Sequence, residues 1–442
     1  MNNIRIGVLG SVDVGKSTLI GVLKNNILDD GRGLTRKYIM KHKHELDSGR
    51  TSCISYHNIN FDNNLITFID LAGHETYLKT TIYGLNGLNL DYIILIIGAN
   101  MGVSKMTKEH FNLVRLLQIP IIFIINKIDL CPENIINNTY NDLYKLVNSK
   151  IGDNKKLFVV ENSELIQNKE YNKLLFFYDN KIFLNNNLNN INYNNIILNK
   201  LKQNINLKTH YPLFFTSNKT GYGIDNIKYY LQSLNKTYNI NINNSKNIYI
   251  IQETYNIKGV GIVFYGYMKY GSIKKNDKLI IGPFGSKFYN INIRNIRDVN
   301  DIDIIELTQG SSGCISIKQL NKDFIFKREH IRKGMYITTN PYCCNEFIAR
   351  IQVLHHPTTI KPKYQSTIHC GTVIQAAQII DIINIKNKDK TKDNINLLRT
   401  GDLAKVKFKF LFRPEYIEEN SVFVFRENNT KGIGRVLSTI NI

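Results

Sequence analysis

No stretch of this 442-residue chain is apolar for long enough to cross a bilayer; the longest candidate, Tyr92–Ala99, is strand-sized. The opening residues, Met-Asn-Asn-Ile-Arg, lack the charged, apolar and small-residue regions of a signal peptide, and they lack the glycine that myristoylation needs. Cys53, Cys131, Cys314, Cys343, Cys344 and Cys370 form no CxxC pair, which fits free thiols in a reducing compartment. The Cys343–Cys344 and His355–His356 doublets do not read as a zinc site, because neighbours in a strand point to opposite faces. Acidic charge is scarce, with 36 Asp and Glu against 57 Lys and Arg and a net charge of +21. The expectation is a soluble, cytoplasmic, monomeric protein with no membrane partner, and with a polyanion such as RNA as its partner. The wealth of Asn, Ile, Lys and Tyr is also what A/T-rich codons produce, so charge by itself does not carry the RNA reading.

What is present is a chain too long for one core, with 43% hydrophobic residues to fill several. Ile4–Leu9, Leu65–Asp70, Tyr92–Ala99, Ile121–Asn126 and Leu213–Thr216 are short Ile- and Phe-rich runs. Amphipathic pieces such as Lys105–Leu117 and Asp225–Leu234 lie between them, which predicts a parallel-rich α/β sheet with helices on both faces. Ligands of such sheets bind outside the carboxyl ends of the strands. Residues 134–208 are Asn-rich, and part of that range reads as a solvent-exposed insertion within a first domain spanning 1–236. Asn235–Lys246 reads as a linker. Beyond it, short alternating runs punctuated by turns predict two all-β barrels, 247–340 and 345–442, with a break near Thr339–Glu346. Asn384–Asn396 reads as a polar loop between strands.

The chemistry sits at the strand ends. Gly10-Ser11-Val12-Asp13-Val14-Gly15-Lys16-Ser17, followed by Thr18, fits the phosphate-loop pattern GxxxxGK[ST] between a strand and a helix. The glycines let backbone N–H groups turn towards phosphates, and the helix start adds positive dipole. Lys16 is expected to reach the β- and γ-phosphates and the Ser17 hydroxyl to bind Mg²⁺. Asp70-Leu71-Ala72-Gly73-His74 ends a second strand. Asp70 is expected to hold Mg²⁺ through water, the Gly73 N–H to contact the γ-phosphate, and His74 to reach the attacking water. Loss of that phosphate would free the following segment. Asn126-Lys127-Ile128-Asp129 ends a third strand. The Asp129 carboxylate can accept from guanine N1–H and the exocyclic amine, where adenine offers neither. Lys127 can lie along the base and Asn126 brace the phosphate loop. Ser217-Asn218-Lys219 closes the pocket, with the Asn218 N–H towards guanine O6. A further hydroxyl for Mg²⁺ is assigned to Thr51, with Ser52 as the alternative. The expected activity is GTP hydrolysis to GDP and phosphate.

Together these motifs resemble those of the translational GTPases of the elongation factor Tu and elongation factor 1-alpha group and, within it, of the GTP-binding protein 1 and GTP-binding protein 2 branch. The most specific residues are Asp30-Gly31-Arg32-Gly33, Lys43-His44-Glu45, Ser48-Gly49-Arg50-Thr51-Ser52 and Asp70–Glu75. Gly259-Val260-Gly261, Leu354–Ile360, His369-Cys370-Gly371, Phe425-Arg426-Glu427 and Thr430-Lys431 extend the match to the barrels. The resemblance implies a Ras-like GTPase domain followed by two barrels that dock on it differently in the GTP and GDP states. It implies that His74 positions the water, that Val12 forms part of an apolar gate before it, and that Asp13 assists with a monovalent cation. It implies slow hydrolysis until a partner, often the ribosome, orders the site, and transfer RNA or another RNA as cargo. Ala72 departs from the proline of elongation factors. Two other readings stay open: a GTP-dependent scaffold that recruits RNA-decay factors, and a regulatory GTPase subunit of a metabolic enzyme such as ATP sulfurylase.

Overall fold

The computed structural model describes residues 2–40, 54–61, 64–149, 155–162, 181–184, 207, 209–235, 246–320, 325, 327–386, 397–427 and 430–441. The chain divides into two compact units, residues 1–85 with 90–238, and residues 86–89 with 239–442. Among the described residues no helix is long and apolar enough to cross a membrane.

In the first unit, the strands are β1 (Asn2–Gly10), β2 (Ser55–Phe61), β3 (Asn64–Asp70), β4 (Tyr92–Gly98), β5 (Ile121–Asn126), β6 (Lys156–Asn162), β7 (Lys181–Leu184) and β8 (His210–Thr216). They form one sheet in the order β2-β3-β1-β4-β5-β8-β6-β7. All neighbours run parallel except β2, which is antiparallel to β3. The helices are α1 (Lys16–Asn25), α2 (Leu34–Lys37), α3 (Leu78–Gly87), α4 (Lys105–Leu116), α5 (Glu133–Val147) and α6 (Ile224–Ser233). Side chains alternate across a strand. Ile4, Ile6, Val8, Phe68, Ile94, Ile124 and Phe214 therefore share a core with Leu19, Ile20 and Leu23 of α1 and Ile227 and Leu231 of α6. On α4, Phe111 meets Phe123 and Tyr211 with ring centroids 5.8 and 6.0 Å apart. Each such side chain contributes roughly 1.5–3 kcal/mol by burial.

Within the Asn-rich range 134–208, two stretches join the packed domain. Residues 133–147 are a regular helix, because Ile136, Thr139, Leu143 and Val147 recur at helical spacing and are buried while its asparagines take the outer positions. Residues 156–162 extend the sheet beside β8. Residues 150–154, 163–180, 185–206 and 208 lie outside the described residues.

In the second unit, β9 (Ile248–Ile257), β10 (Gly261–Tyr270), β11 (Ser272–Lys274), β12 (Lys278–Phe284), β13 (Lys287–Asp298), β14 (Asp303–Ile304), β15 (Glu306–Thr308), β16 (Ser312–Gln319) and β17 (Tyr336–Thr338) come first. The order β12-β17-β9-β10-β16-β13 closes through β12–β13 pairing, a barrel filled by Tyr249, Ile251, Phe264, Ile293 and Ile315. Next come β18 (Cys344–His355), β19 (Gln365–Cys370), β20 (Val373–Lys386), β21 (Leu403–Phe410), β22 (Val422–Glu427) and β23 (Thr430–Asn441). They close a second barrel, β18-β21-β20-β19-β22-β23. Its core stacks Phe347 on Phe408 at 5.3 Å, with Phe423 edge-on to both. The part of the expected loop at 384–396 that is described is strand: Asn384 pairs with Lys405 and Ile385 with Ala404, so backbone pairing overrides the local polarity.

Between β21 and β22, a short run ties the barrels together. Glu415 accepts from Arg332 of the first barrel at 3.1 Å and from Arg413 at 3.0 Å. Glu418 accepts from Lys269 at 2.5 Å and from Tyr270 at 3.3 Å, both on β10, and from Tyr416.

Candidate nucleotide-binding site

The carboxyl end of β1 runs into a loop whose shape only certain residues allow. Gly15 has φ 93°, and a Cβ there would stand 2.5 Å from Asn126 Nδ2. Lys16 opens α1, and its Nζ donates to the Gly10 carbonyl at 3.1 Å and the Ser11 carbonyl at 2.8 Å. Burial pulls the Lys16 pKa below its ordinary value, while Asp70 and Asp13 push it back up. The backbone of Gly73, just past β3, lies against this loop: a Cβ on Gly73 would meet Gly10 O at 2.4 Å and Lys16 Nζ at 2.5 Å. Ser17 Oγ donates to Asp70 Oδ2 at 2.5 Å, so a hydroxyl and a carboxylate from different elements converge. Mg²⁺ takes hard oxygen donors of this type, and the pair fits it. The Ser11 hydroxyl lies 2.6 Å from that of Ser104, the N-cap of α4.

The ends of β5 and β8 are bonded to the same loop. Asn126 Nδ2 donates to Val14 O at 2.9 Å, and its Oδ1 accepts from Thr216 Oγ1 at 3.1 Å. Asn218 Nδ2 donates to Gly15 O at 3.4 Å. The Ser217 carbonyl accepts from the Gly221 N–H at 3.0 Å and its hydroxyl from the Thr220 N–H at 3.1 Å, which curls the loop back. Lys127 turns the chain at φ 64° into a short 3₁₀ helix that carries Asp129. Asp13, Gly15, Thr18, Lys127, Asp129 and Lys219 line one cavity of about 530 Å³.

Other expected residues stand apart. His74 is exposed; its Nδ1 accepts from the Thr76 N–H at 3.2 Å, and its ring meets Tyr77 edge-on at 6.2 Å. Val12 is half-buried in the loop. Thr51 and Ser52 lie outside the described residues.

Two features of the site escaped the sequence reading. Asp29, Asp30 and Arg32 from the connection between α1 and α2, and Arg36 on α2, line the same cavity. A run of Asp and Gly signals a turn but not what the turn faces. His110 on α4 is fully buried, and neither ring nitrogen has a hydrogen-bond partner among the described residues. Burial and, after it, the charge of Lys16 push its pKa down to about 4. The imidazole is thus neutral near the phosphate loop. The sequence reading takes Lys105–Leu117 as one amphipathic piece and does not single out this histidine.

The family described as "Elongation factor Tu GTP binding domain" matches residues 1–241, and "Elongation factor Tu C-terminal domain" matches residues 340–440. GTP-binding protein 1 of Xenopus laevis is 35% identical over 98% of this chain, which spans 63% of that relative's length. GTP-binding protein 2 of Homo sapiens is 30% identical, covering 98% of this chain and 69% of its own. Among solved structures, the S. cerevisiae Ski7 GTPase-like domain bound to GDP and inorganic phosphate superimposes with a TM-score of 0.71 at 13% identity, over 99% of this chain and 98% of that one. At that identity the likeness speaks to fold alone.

Proposed function

The chain belongs to the translational GTPase family of elongation factor Tu, and from that premise we propose that it binds GTP, hydrolyses it to GDP and phosphate, and acts as a switch in translation or RNA surveillance. One observation carries the reading: Lys16, the Ser17–Asp70 pair, Asn126, Asp129 and Asn218 come from four strand ends and are arranged about one phosphate loop and its cavity. Lys16 and the loop N–H groups grip the phosphates. Asp129 accepts from guanine N1–H and the exocyclic amine, and the Asn218 N–H faces O6.

Ser17 and the Thr51 hydroxyl would hold Mg²⁺, with Asp70 reaching it through water. When bound, the ion neutralises charge on the phosphate oxygens. Water attacks the γ-phosphorus in line, the bond to the β–γ bridging oxygen breaks, and GDP leaves with that electron pair. Donors already aimed at the phosphates stabilise the growing charge. His74 orients the water after its ring leaves the Tyr77 contact, and that rotation is the step an activator supplies.

RNA is the partner that charge supports. Across the second barrel, Lys405, Arg350 and Arg435 stand directly opposite one another on β21, β18 and β23, and all three are exposed. An exposed cross-strand row of one charge sign favours a phosphate backbone as ligand.

The test is direct. Purified chain is expected to bind GTP and GDP at least a hundredfold more tightly than the adenine nucleotides, and to release phosphate from GTP faster with ribosomes present. Equal affinity for ATP sinks the reading. Tight GTP binding without phosphate release under any activator favours the scaffold alternative.

A further inference from the structure

Asp29 is 8% exposed and belongs to none of the four nucleotide motifs. Its Oδ2 accepts from the N–H groups of Gly31 at 3.0 Å and Gly33 at 3.1 Å. Its Oδ1 accepts from both the N–H and the hydroxyl of Thr35, each at 3.0 Å. The carboxylate thereby folds the connection between α1 and α2 around itself. Its own N–H donates to the Asn218 carbonyl at 2.9 Å, on the loop that closes the base end of the cavity.

The same loops approach each other closely at two more places. A Cβ on Gly221 would meet the Leu28 side chain at 3.2 Å, and one on Gly31 would meet Lys219 Cδ at 3.4 Å. The far end of the connection is fixed too: the Thr35 carbonyl sits 2.5 Å from where a Cβ on Gly21 of α1 would be. Residues 29–33 and 218–219 line the cavity from adjoining edges.

We propose that Asp29 is a positioning residue that clamps the α1–α2 connection onto the base-closing loop, and so sets how fast a guanine nucleotide leaves. The proposal rests on the reading of the cavity as a guanine-nucleotide site. Both carboxylate oxygens of Asp29 are taken up by Gly31, Gly33 and Thr35, so its role is in retention and not discrimination. Charged acceptors of backbone N–H groups make the stronger class of hydrogen bond, and losing several at once loosens the wall they hold.

The experiment chases a fluorescent GDP, and in parallel a fluorescent inosine diphosphate, from the native chain, Asp29→Ala and Asp29→Asn. Thermal midpoints are recorded alongside. Asp29→Ala is expected to release both nucleotides about tenfold faster. Asp29→Asn, which keeps one acceptor oxygen, is expected to fall between it and the native chain. The ratio of GDP to inosine diphosphate release stays unchanged in both variants. A lowered melting midpoint with native release rates marks a merely structural role and overturns the proposal, as does a change confined to GDP. If Asp29→Ala does not fold, Asp29→Asn decides alone, with at least threefold faster release expected and an unchanged rate refuting it. A native chain that fails to retain GDP at all removes the site reading and this inference together. Retention by the native chain with no effect of either variant removes only the inference.

Discussion

The Lys269 ammonium lies 2.5 Å from the Glu418 carboxylate and thereby fastens a strand of the first barrel to the segment between β21 and β22 of the second. Both side chains are about three-quarters buried. Burial works against the charge on Glu418, but Lys269 and the hydrogen bonds from Lys269, Tyr416 and Tyr270 outweigh it, so its pKa falls below the usual carboxylate value. For Lys269 the balance runs the same way: burial opposes the charge, Glu418 outweighs it, and the pKa rises.

A sign follows for pH. A carboxylate with a depressed folded pKa stabilises the fold above its unfolded value near 4.3 and loses that contribution as pH falls through the folded value. A Glu418→Gln substitution is expected to cost about 2 kcal/mol at neutral pH, as for a charged hydrogen bond lost from a partly buried site. The melting midpoint of the barrel unit drops by roughly 4–8 °C. The gap between variant and native chain narrows in acid. Calorimetry at pH 7 and near pH 3 reads it, and a gap independent of pH contradicts the assignment.

Asp129 is expected to decide the base. Asp129→Asn exchanges an acceptor pair for an amide and is expected to weaken GTP binding by about a hundredfold while strengthening binding of xanthosine triphosphate. Competition against labelled GDP measures both. Undiminished GTP affinity would show that the base lies elsewhere.

His74→Ala is expected to leave GTP affinity within about twofold and to slow activated hydrolysis by a hundredfold or more, the scale of losing a group that orients the nucleophile. Single-turnover phosphate release with ribosomes distinguishes this from a binding defect. Native turnover in the variant removes His74 from the chemistry.

The buried stripe of α5 carries its own prediction. Leu143→Ala is expected to destabilise the first unit by about 2–4 kcal/mol, as core truncations do, where a change on a solvated arm costs under ~0.5 kcal/mol. A thermal midpoint indistinguishable from the native one would return this segment to the status of an insertion.

That helix also marks the limit of what the residues alone disclose. The Ile-rich strands and the motifs at their ends could be located in advance, because buried parallel strands read as continuous apolar runs and phosphate chemistry needs glycine, lysine and a hydroxyl at fixed intervals. In α5 the asparagines dominate composition, and four inner residues spaced three or four apart were outweighed by them. Strand β2, with His57, Asn58 and Asn60 among its apolar residues, gave no strand-sized apolar run to find. The role of Asp29 was hidden for a different reason. Its partners are backbone groups brought near by a turn, and no side-chain pattern announces them.

The second barrel is sealed by β18 and β23, paired from Cys344 with Asn441 to His355 with Lys431. Its first strand to be synthesised therefore waits for its last. Until residue 441 has left the ribosome, β18 offers an open edge lined with unmet backbone donors and acceptors, a template for the wrong neighbour. Closure across so long a separation in sequence is slow as well. Removing even a few residues from β23 is accordingly expected to yield aggregates and not a smaller folded barrel, and fusions that delay release of β23 fall under the same hazard.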